Sequence, residues 1–210
     1  MTRVLLMLLA ILLMGCSHDN PPPPPPTPSP TQDFTFYYGS VAGQRCDSFD
    51  FPGPGGGAHY CTKAIGLAQG QTITMTFTLT GGSVLPVQAD DIPPATTHLF
   101  LWRRNDPMTC TGAYQQYRWW SAAKADLMPG TQTISATLNP ENWTDCYGQS
   151  GAQNPAAFAA ALSDLQGVGY TFGGQYFFGH GAYASQSAHF TLNSYATGSQ
   201  SKRKKRGFLR

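Results

Sequence analysis

Three segments of the chain alternate between apolar and polar side chains. In residues 72–79 threonines alternate with apolar residues at 73, 75, 77 and 79; residues 133–138 and 187–193, within the predicted strands at 131–138 and 187–193, repeat the alternation. Because successive side chains of a strand point to opposite faces, each segment has one apolar and one polar face. The pattern predicts three half-buried strands of an antiparallel sheet, each with one face against a core.

Weaker alternation predicts five further strands, separated by turns rich in glycine and proline. We expect these strands at residues 34–38, 58–65, 97–103, 113–121 and 168–172. About eight strands in a row favour an all-β fold, and we predict an antiparallel β-sandwich of the jelly-roll type over residues 33–196.

One short helix interrupts the strands. Asn154 is a suitable N-cap and Pro155 a suitable first helical residue. Phe158, Leu162 and Leu165 then recur at helical spacing. We expect this helix to end at residue 167, which is a glycine.

The first sixteen residues carry an export pattern. Arg3 precedes an unbroken apolar run over residues 4–14, which is too short to span a bilayer but suits a signal peptide. The run ends in Leu-Met-Gly-Cys at residues 13–16, which resembles the bacterial lipobox. That resemblance implies a signal peptide over residues 1–15 and acylation of Cys16. An ordinary secretory signal with an unrelated cysteine is the alternative.

The segments that flank the predicted domain differ from it in composition. Residues 16–32 include six consecutive prolines and are expected to form an extended tether of polyproline II type. Ser17 follows the cysteine. In this position the chain resembles Gram-negative lipoproteins that are sorted to the outer membrane rather than those retained at the inner membrane. Residues 197–210 contain six lysines and arginines and are expected to form a basic, disordered tail, which could contact anionic lipid or lipopolysaccharide. We expect no specific nucleic-acid partner.

The charge balance sets the domain apart from the whole chain. The chain carries a formal net charge of +2, whereas residues 33–196 hold ten acidic and six basic side chains, a net charge of −4. Charged residues make up 11% of the chain, against roughly 25% in an average protein. The domain is therefore expected to be mildly acidic and poor in surface helices.

Four cysteines remain after Cys16. An even number of cysteines in an exported domain predicts two disulfides, for which three pairings are possible. We favour Cys46–Cys61 and Cys110–Cys146, because the first bond would brace the glycine-rich loop at residues 53–57. A zinc site is the alternative, but the cysteines lack the short spacing that zinc sites usually have.

No familiar catalytic motif occurs in the sequence. It contains no GxSxG, HExxH or P-loop pattern, and Glu141 is its single glutamate, so a pair of glutamates for glycoside hydrolysis is excluded. We expect no cofactor. The acidic pairs Asp47/Asp50 and Asp90/Asp91 could hold a structural calcium ion, although solvated turn residues are the expected interpretation.

Aromatic side chains give the one positive indication of function. Tyr117, Trp119 and Trp120 crowd one predicted strand, and Tyr176 lies in the glycine-rich segment after the helix. Adjacent tryptophans on a strand must face opposite sides of the sheet. One therefore belongs to the core and the other is free to stack on a sugar. We take these four residues as candidate ligand contacts; simple core filling is the alternative.

The segment from the helix to the last predicted strand carries a second resemblance. Val-Gly-Tyr-Thr-Phe-Gly-Gly at residues 168–174, followed by Phe-Phe-Gly-His-Gly at residues 177–181, resembles the C-terminal part of galactose-binding-like jelly rolls of carbohydrate-binding modules. It implies a β-sandwich with a non-catalytic binding role. We expect a lipid-anchored envelope protein that binds a glycan or another envelope component. The alternatives are an assembly lipoprotein that makes protein–protein contacts and, less favoured, a polysaccharide hydrolase.

Overall fold

Strands account for most of the regular structure. The computed structural model describes residues 33–199, so the predicted signal peptide, the tether and the tail beyond Ser199 lie outside the described residues. Within them an α-helix, α1, spans Pro155–Ser163, and short 3-10 helices span Gly112–Gln116 and Pro140–Asn142. The strands are β1 Thr35–Phe36, β2 Ser48–Asp50, β3 Tyr60–Lys63, β4 Gln71–Gly81, β5 Val84–Pro86, β6 Thr96–Arg103, β7 Arg118–Asp126, β8 Gly130–Thr137, β9 Trp143–Thr144, β10 Leu165–Gly173, β11 Ala182–Ala184 and β12 Ala188–Ser199.

Two antiparallel sheets form a sandwich. The larger sheet has the strand order β1-β3-β10-β6-β7-β9, the smaller one β2-β12-β4-β8, and β5 and β11 form a separate pair. The predicted all-β sandwich is confirmed, and its jelly-roll connectivity stays a prediction. Strands were missed at β2, β5, β9 and β11, which have two or three residues each. Such segments are too short to show a period.

The core lies between the two large sheets and is rich in aromatic rings. The apolar side chains of the strongest predicted strand are buried, and Phe77 stacks on Phe190 of β12 with 5.1 Å between ring centroids. Tyr170 of β10, in the larger sheet, also stacks on Phe190, with 5.6 Å between the ring centroids. The apolar faces predicted from the alternation of β4 and β12 therefore point into the core, as expected.

Strand β12 runs beyond its predicted end because its period is interrupted. A bulge between Leu192 and Ser194 shifts the register against β4. As a result Leu192 and Tyr195, three positions apart, both point into the core. Simple alternation ends at this bulge, so the pattern could not reveal the second half of the strand.

Two further boundaries differ from expectation. The helix ends at Ser163 instead of residue 167, because Leu165 already begins β10 and pairs with Arg103. The predicted strand at residues 113–121 is a 3-10 helix in its first half, and β7 begins at Arg118. The Asn154 side chain donates to Gln149 Oε1 (2.9 Å) instead of capping the helix.

Both favoured disulfides are present. Cys46–Cys61 joins the chain before β2 to β3, and Cys110–Cys146 joins the loop before the first 3-10 helix to the turn after β9. Among the described residues, no helix is long and apolar enough to cross a membrane.

Candidate ligand-binding cleft

The outer face of the six-stranded sheet is unusually apolar. On the central strand β10 this face carries only small residues, because Val168, Tyr170 and Phe172 alternate into the core. Rings from the strands on either side lean over these small residues, and Tyr60 of β3 meets Phe100 of β6 with 5.1 Å between centroids. We call this surface the aromatic face; its buried rings are Tyr60, Phe100, Trp102 and Trp120.

A loop at residues 174–181 covers part of the aromatic face, and Asp91 holds it there. Asp91 Oδ1 accepts the backbone N–H groups of Gln175 (2.7 Å) and Tyr176 (3.2 Å), and Oδ2 accepts that of Phe177 (3.0 Å). A Cβ at residue 174 would collide with this carboxylate, so glycine is required there. Asp91 thus fixes the position of the rings that follow.

Between this loop and the turn at residues 145–148 lies a cleft of about 380 Å³. Trp120 lies on the aromatic face below it, and its Nε1 donates to Thr171 Oγ1 at 3.1 Å. Tyr147 and Tyr176, which are 62% and 68% exposed, line the cleft. We call it the aromatic cleft; it is lined by Tyr60, Cys110, Arg118, Trp120, Asp145, Cys146, Tyr147, Gly148, Tyr176, Phe177, Phe178, Gly179 and His180.

Arg118 is a buried cation that lines the cleft. Its Nε lies 2.8 Å from Asp106 Oδ2, and the two side chains are 5% and 0% exposed. Its terminal nitrogens have weaker partners, since Nη1 donates to the Tyr60 hydroxyl at 3.4 Å and Nη2 points at Cys110 Sγ at 3.2 Å. Asp106 therefore neutralises the buried charge and leaves the far edge of the guanidinium able to donate.

Asp145 is a buried acid that also lines the cleft. Its Oδ1 accepts the backbone N–H groups of Tyr147 (2.9 Å) and Gln149 (3.0 Å) and so shapes the turn. Its Oδ2 has no hydrogen-bond partner among residues 33–199. Burial raises the pKa of Asp145, against the lowering effect of the two N–H groups. An unused buried acceptor at a cleft wall is suited to a ligand hydroxyl.

A second depression, of about 470 Å³, continues from the cleft past Arg118. We call it the adjoining groove; it shares Tyr60, Cys110, Arg118, Gly179 and His180 with the cleft and adds Tyr38, His59 and Met108. Burial lowers the pKa of both histidines, and the positive charge of Arg118 lowers that of His180 further. Both rings are therefore neutral near pH 7.

The structure brings together two of the four predicted ligand contacts. Trp120 and Tyr176 both line the aromatic cleft. Trp119 is fully buried in the core, where it packs edge-on against Phe158 of the helix. Tyr117 lies outside the cleft, with the guanidinium of Arg103 4.5 Å from its ring centroid. Of the two adjacent tryptophans, the second one faces the cleft, as their opposite orientation allows.

Three residues of this region were not assigned a role from the sequence. Arg118 lies two positions before Trp120 on β7, so the two side chains point to the same face of the sheet. The alternation of the strand alone therefore predicts that Arg118 accompanies Trp120. Tyr147 and Asp145 lie in a turn that only the disulfide and the end of β9 bring to the cleft. No local pattern marks them.

Of the aspartates considered for calcium, Asp90 is exposed as expected and the other three contact other groups of the protein. Asp91 is buried, contrary to the expectation of a solvated turn residue, and its oxygens accept backbone N–H groups. Asp47 pairs with Arg45 at 2.6 Å. In the part of the chain that the structure describes, no three His, Cys, Asp or Glu side chains gather as a metal site would require.

The arrangement can hold a polar ring-shaped molecule between aromatic side chains, with one buried donor and one buried acceptor at the walls. Comparison of the chain with protein-family models, with curated proteins and with solved structures gave no match.

Proposed function

We propose that this protein is a lipid-anchored protein of the cell envelope, at the outer membrane, whose β-sandwich binds a glycan in the aromatic cleft without catalysing a reaction. The observation that carries the proposal is the joining of aromatic rings and unused polar atoms in one cleft. Sugars present apolar C–H faces and rim hydroxyls, so their sites combine a few aromatic side chains with a few placed polar groups. Trp120, Tyr147 and Tyr176 supply the rings, and Asp145 and Arg118 supply the polar groups.

The size of the cleft agrees with this proposal. A volume of about 380 Å³ is at the small end of the range for small-molecule sites, which is roughly 300–1,000 Å³. This volume accommodates one or two sugar rings, and a longer glycan would extend out of the cleft past the exposed tyrosines. We expect the site to bind a short segment of a polysaccharide.

The binding proposal is tested with the two exposed tyrosines. Tyr147→Ala and Tyr176→Ala remove rings that are mostly in water, so the fold is expected to survive. Tyr114→Ala is the matched control, because Tyr114 is 39% exposed and lies outside the cleft. On a panel of neutral and acidic envelope glycans, we expect each cleft variant to weaken binding at least tenfold and the control to leave it unchanged. A protein that binds no glycan, or three variants that behave alike, would refute the proposal.

The envelope location is tested separately. Mass spectrometry of the mature protein should show a chain that begins at Cys16 and carries acyl chains on that residue. Recovery of a soluble, unacylated chain that begins at Met1 would contradict the anchor while leaving the cleft open to test.

A further inference from the structure

Among the described residues, the adjoining groove is free of acidic side chains, unlike the surface of the rest of the domain. Residues 33–196 carry a net charge of −4, yet no acidic side chain is among the residues that line this groove. Its one charged group within residues 33–199 is the Arg118 guanidinium, since burial lowers the pKa of His59 and His180 and keeps both rings neutral near pH 7. Asp106, the counter-ion of Arg118, does not line the groove and is fully shielded from solvent. From the part of the chain that the structure describes, the groove therefore offers a ligand the edge of a guanidinium and no carboxylate.

The donors in this groove have unused capacity. Arg118 forms an ion pair with Asp106 through Nε, and the partners of its two terminal nitrogens are a hydroxyl at 3.4 Å and a disulfide sulfur at 3.2 Å. Tyr60 accepts from Arg118, so the proton of its own hydroxyl is available for another acceptor. Burial raises the pKa of Tyr60, which keeps that hydroxyl protonated. Tyr38, 55% exposed, provides a further hydroxyl at the same groove.

We infer that the glycan carries a carboxylate, and that this carboxylate sits in the adjoining groove against the terminal nitrogens of Arg118. This inference rests on the proposed function and names the class of sugar. The parallel N–H groups of a guanidinium match the two oxygens of a carboxylate. Asp145 lies on the aromatic cleft but not on the groove. Its charge would repel a carboxylate seated beside it, so the neutral part of the sugar lies at the Asp145 end.

Two sources present this chemistry in a cell envelope. Uronic acids carry the carboxylate directly on the sugar ring, and muramic acid carries it on a lactyl arm. The test uses both, as an oligogalacturonate and as a muramic-acid disaccharide, each compared with its methyl ester. The ester keeps the shape of the sugar and removes the charge.

The full chain in detergent is titrated with each pair by isothermal calorimetry. We expect at least one acid to bind roughly tenfold to a hundredfold more tightly than its ester, the range expected for hydrogen bonds to a charged group. Arg118→Lys keeps the charge but loses the paired geometry, so it should reduce this preference severalfold. The double variant Arg118→Gln/Asp106→Asn removes both charges together, which avoids leaving Asp106 buried and unpaired, and should abolish the preference.

The other outcomes separate the two proposals. Equal binding of acid and ester would overturn the carboxylate inference and leave glycan binding standing. Binding of neither, together with no binding on the glycan panel, would overturn both. A preference for the acid that survives in both Arg118 variants would overturn the assignment to this groove. Thermal unfolding of each variant shows that the protein tested is folded.

Discussion

The outer faces of the two sheets have opposite chemistry. On the four-stranded sheet this face is a ladder of hydroxyl pairs between β4 and β8, closed by hydrogen bonds of 2.8 to 3.1 Å. The pairs are Thr72–Thr137, Thr74–Ser135, Thr76–Thr133 and Thr78–Thr131. Each hydroxyl has a hydrogen-bond partner on the neighbouring strand and faces solvent, so this face is stable without a covering loop.

On the six-stranded sheet the outer face is aromatic and is covered by loops. The Asp91 carboxylate and further hydrogen bonds from the sheet hold the loop at residues 174–181, and the Cys110–Cys146 disulfide holds the turn at residues 145–148. This cover leaves an opening between its two parts, which is the aromatic cleft. In this sandwich the hydroxyl pairs of one outer face satisfy each other, and the unused polar groups and the exposed rings lie on the side of the other. Binding should therefore depend on the covered face alone.

The largest effect should come from the disulfide that holds the cover. Cys110→Ala/Cys146→Ala opens a loop with a sequence separation of 36, and the chain-entropy model gives a cost of about 4 kcal/mol in the free energy of unfolding. Because the bond lines the cleft, we also expect glycan binding to be lost. Denaturant unfolding followed by tryptophan fluorescence measures the first quantity, and calorimetry the second.

The second disulfide is the control for this prediction. Cys46→Ala/Cys61→Ala opens a shorter loop, with a separation of 15, at a cost of about 3 kcal/mol. Both sulfurs belong to the core, so binding by the remaining folded protein should be retained. Equal loss of binding in the two double variants would contradict the distinction between the faces.

A smaller effect is expected from acidification of the aromatic face. His98 is buried beneath Phe178, and its Nδ1 donates to Ser121 O at 2.9 Å. Burial lowers the pKa of His98 from 6.5 to about 4. The unfolded chain thus binds this proton first as pH falls, and the folded state loses stability between pH 6.5 and pH 4. The loss from this one group is about 3 kcal/mol.

His98→Asn isolates this contribution, because asparagine keeps an N–H donor for Ser121 but does not titrate. We expect the variant to be less stable than wild type near pH 7 and the difference to shrink as pH falls to 4. Asp106 and Asp145 titrate in both proteins and cancel in the difference. Parallel curves of unfolding free energy against pH would disprove the assignment.

The inner faces of the sheets can be predicted from the sequence more readily than the site can. The strands β4 and β8 could be predicted because apolar residues alternate with hydroxyl-bearing ones along most of each strand. On the aromatic face both sides of β10 are buried, so the alternation that identifies a half-exposed strand is lost there. Asp145 reaches the cleft through a turn and a disulfide, which are contacts distant in sequence. Position in the fold, not local pattern, makes it a site residue.

The same substitution on the two outer faces gives the smallest and sharpest test. Thr171 on the aromatic face is fully buried; its hydroxyl accepts from Trp120 Nε1 (3.1 Å) and donates to Phe178 O (2.9 Å). Thr171→Val leaves both partners buried and unsatisfied, at a cost of about 1–3 kcal/mol. Thr76→Val on the hydroxyl ladder breaks one bond to Thr133, 2.9 Å long, where water can take the place of the lost hydroxyl.

Valine also suits a strand, so we expect Thr76→Val to change the free energy of unfolding by less than about 0.5 kcal/mol. Urea unfolding of both variants measures the contrast directly, since the side-chain volumes change equally. Equal losses would mean that the hydroxyl ladder is as tightly constrained as the covered face. The two outer faces would then not differ in how tightly their hydroxyl groups are constrained, and the proposal that ligand binding depends on the covered face alone would be contradicted.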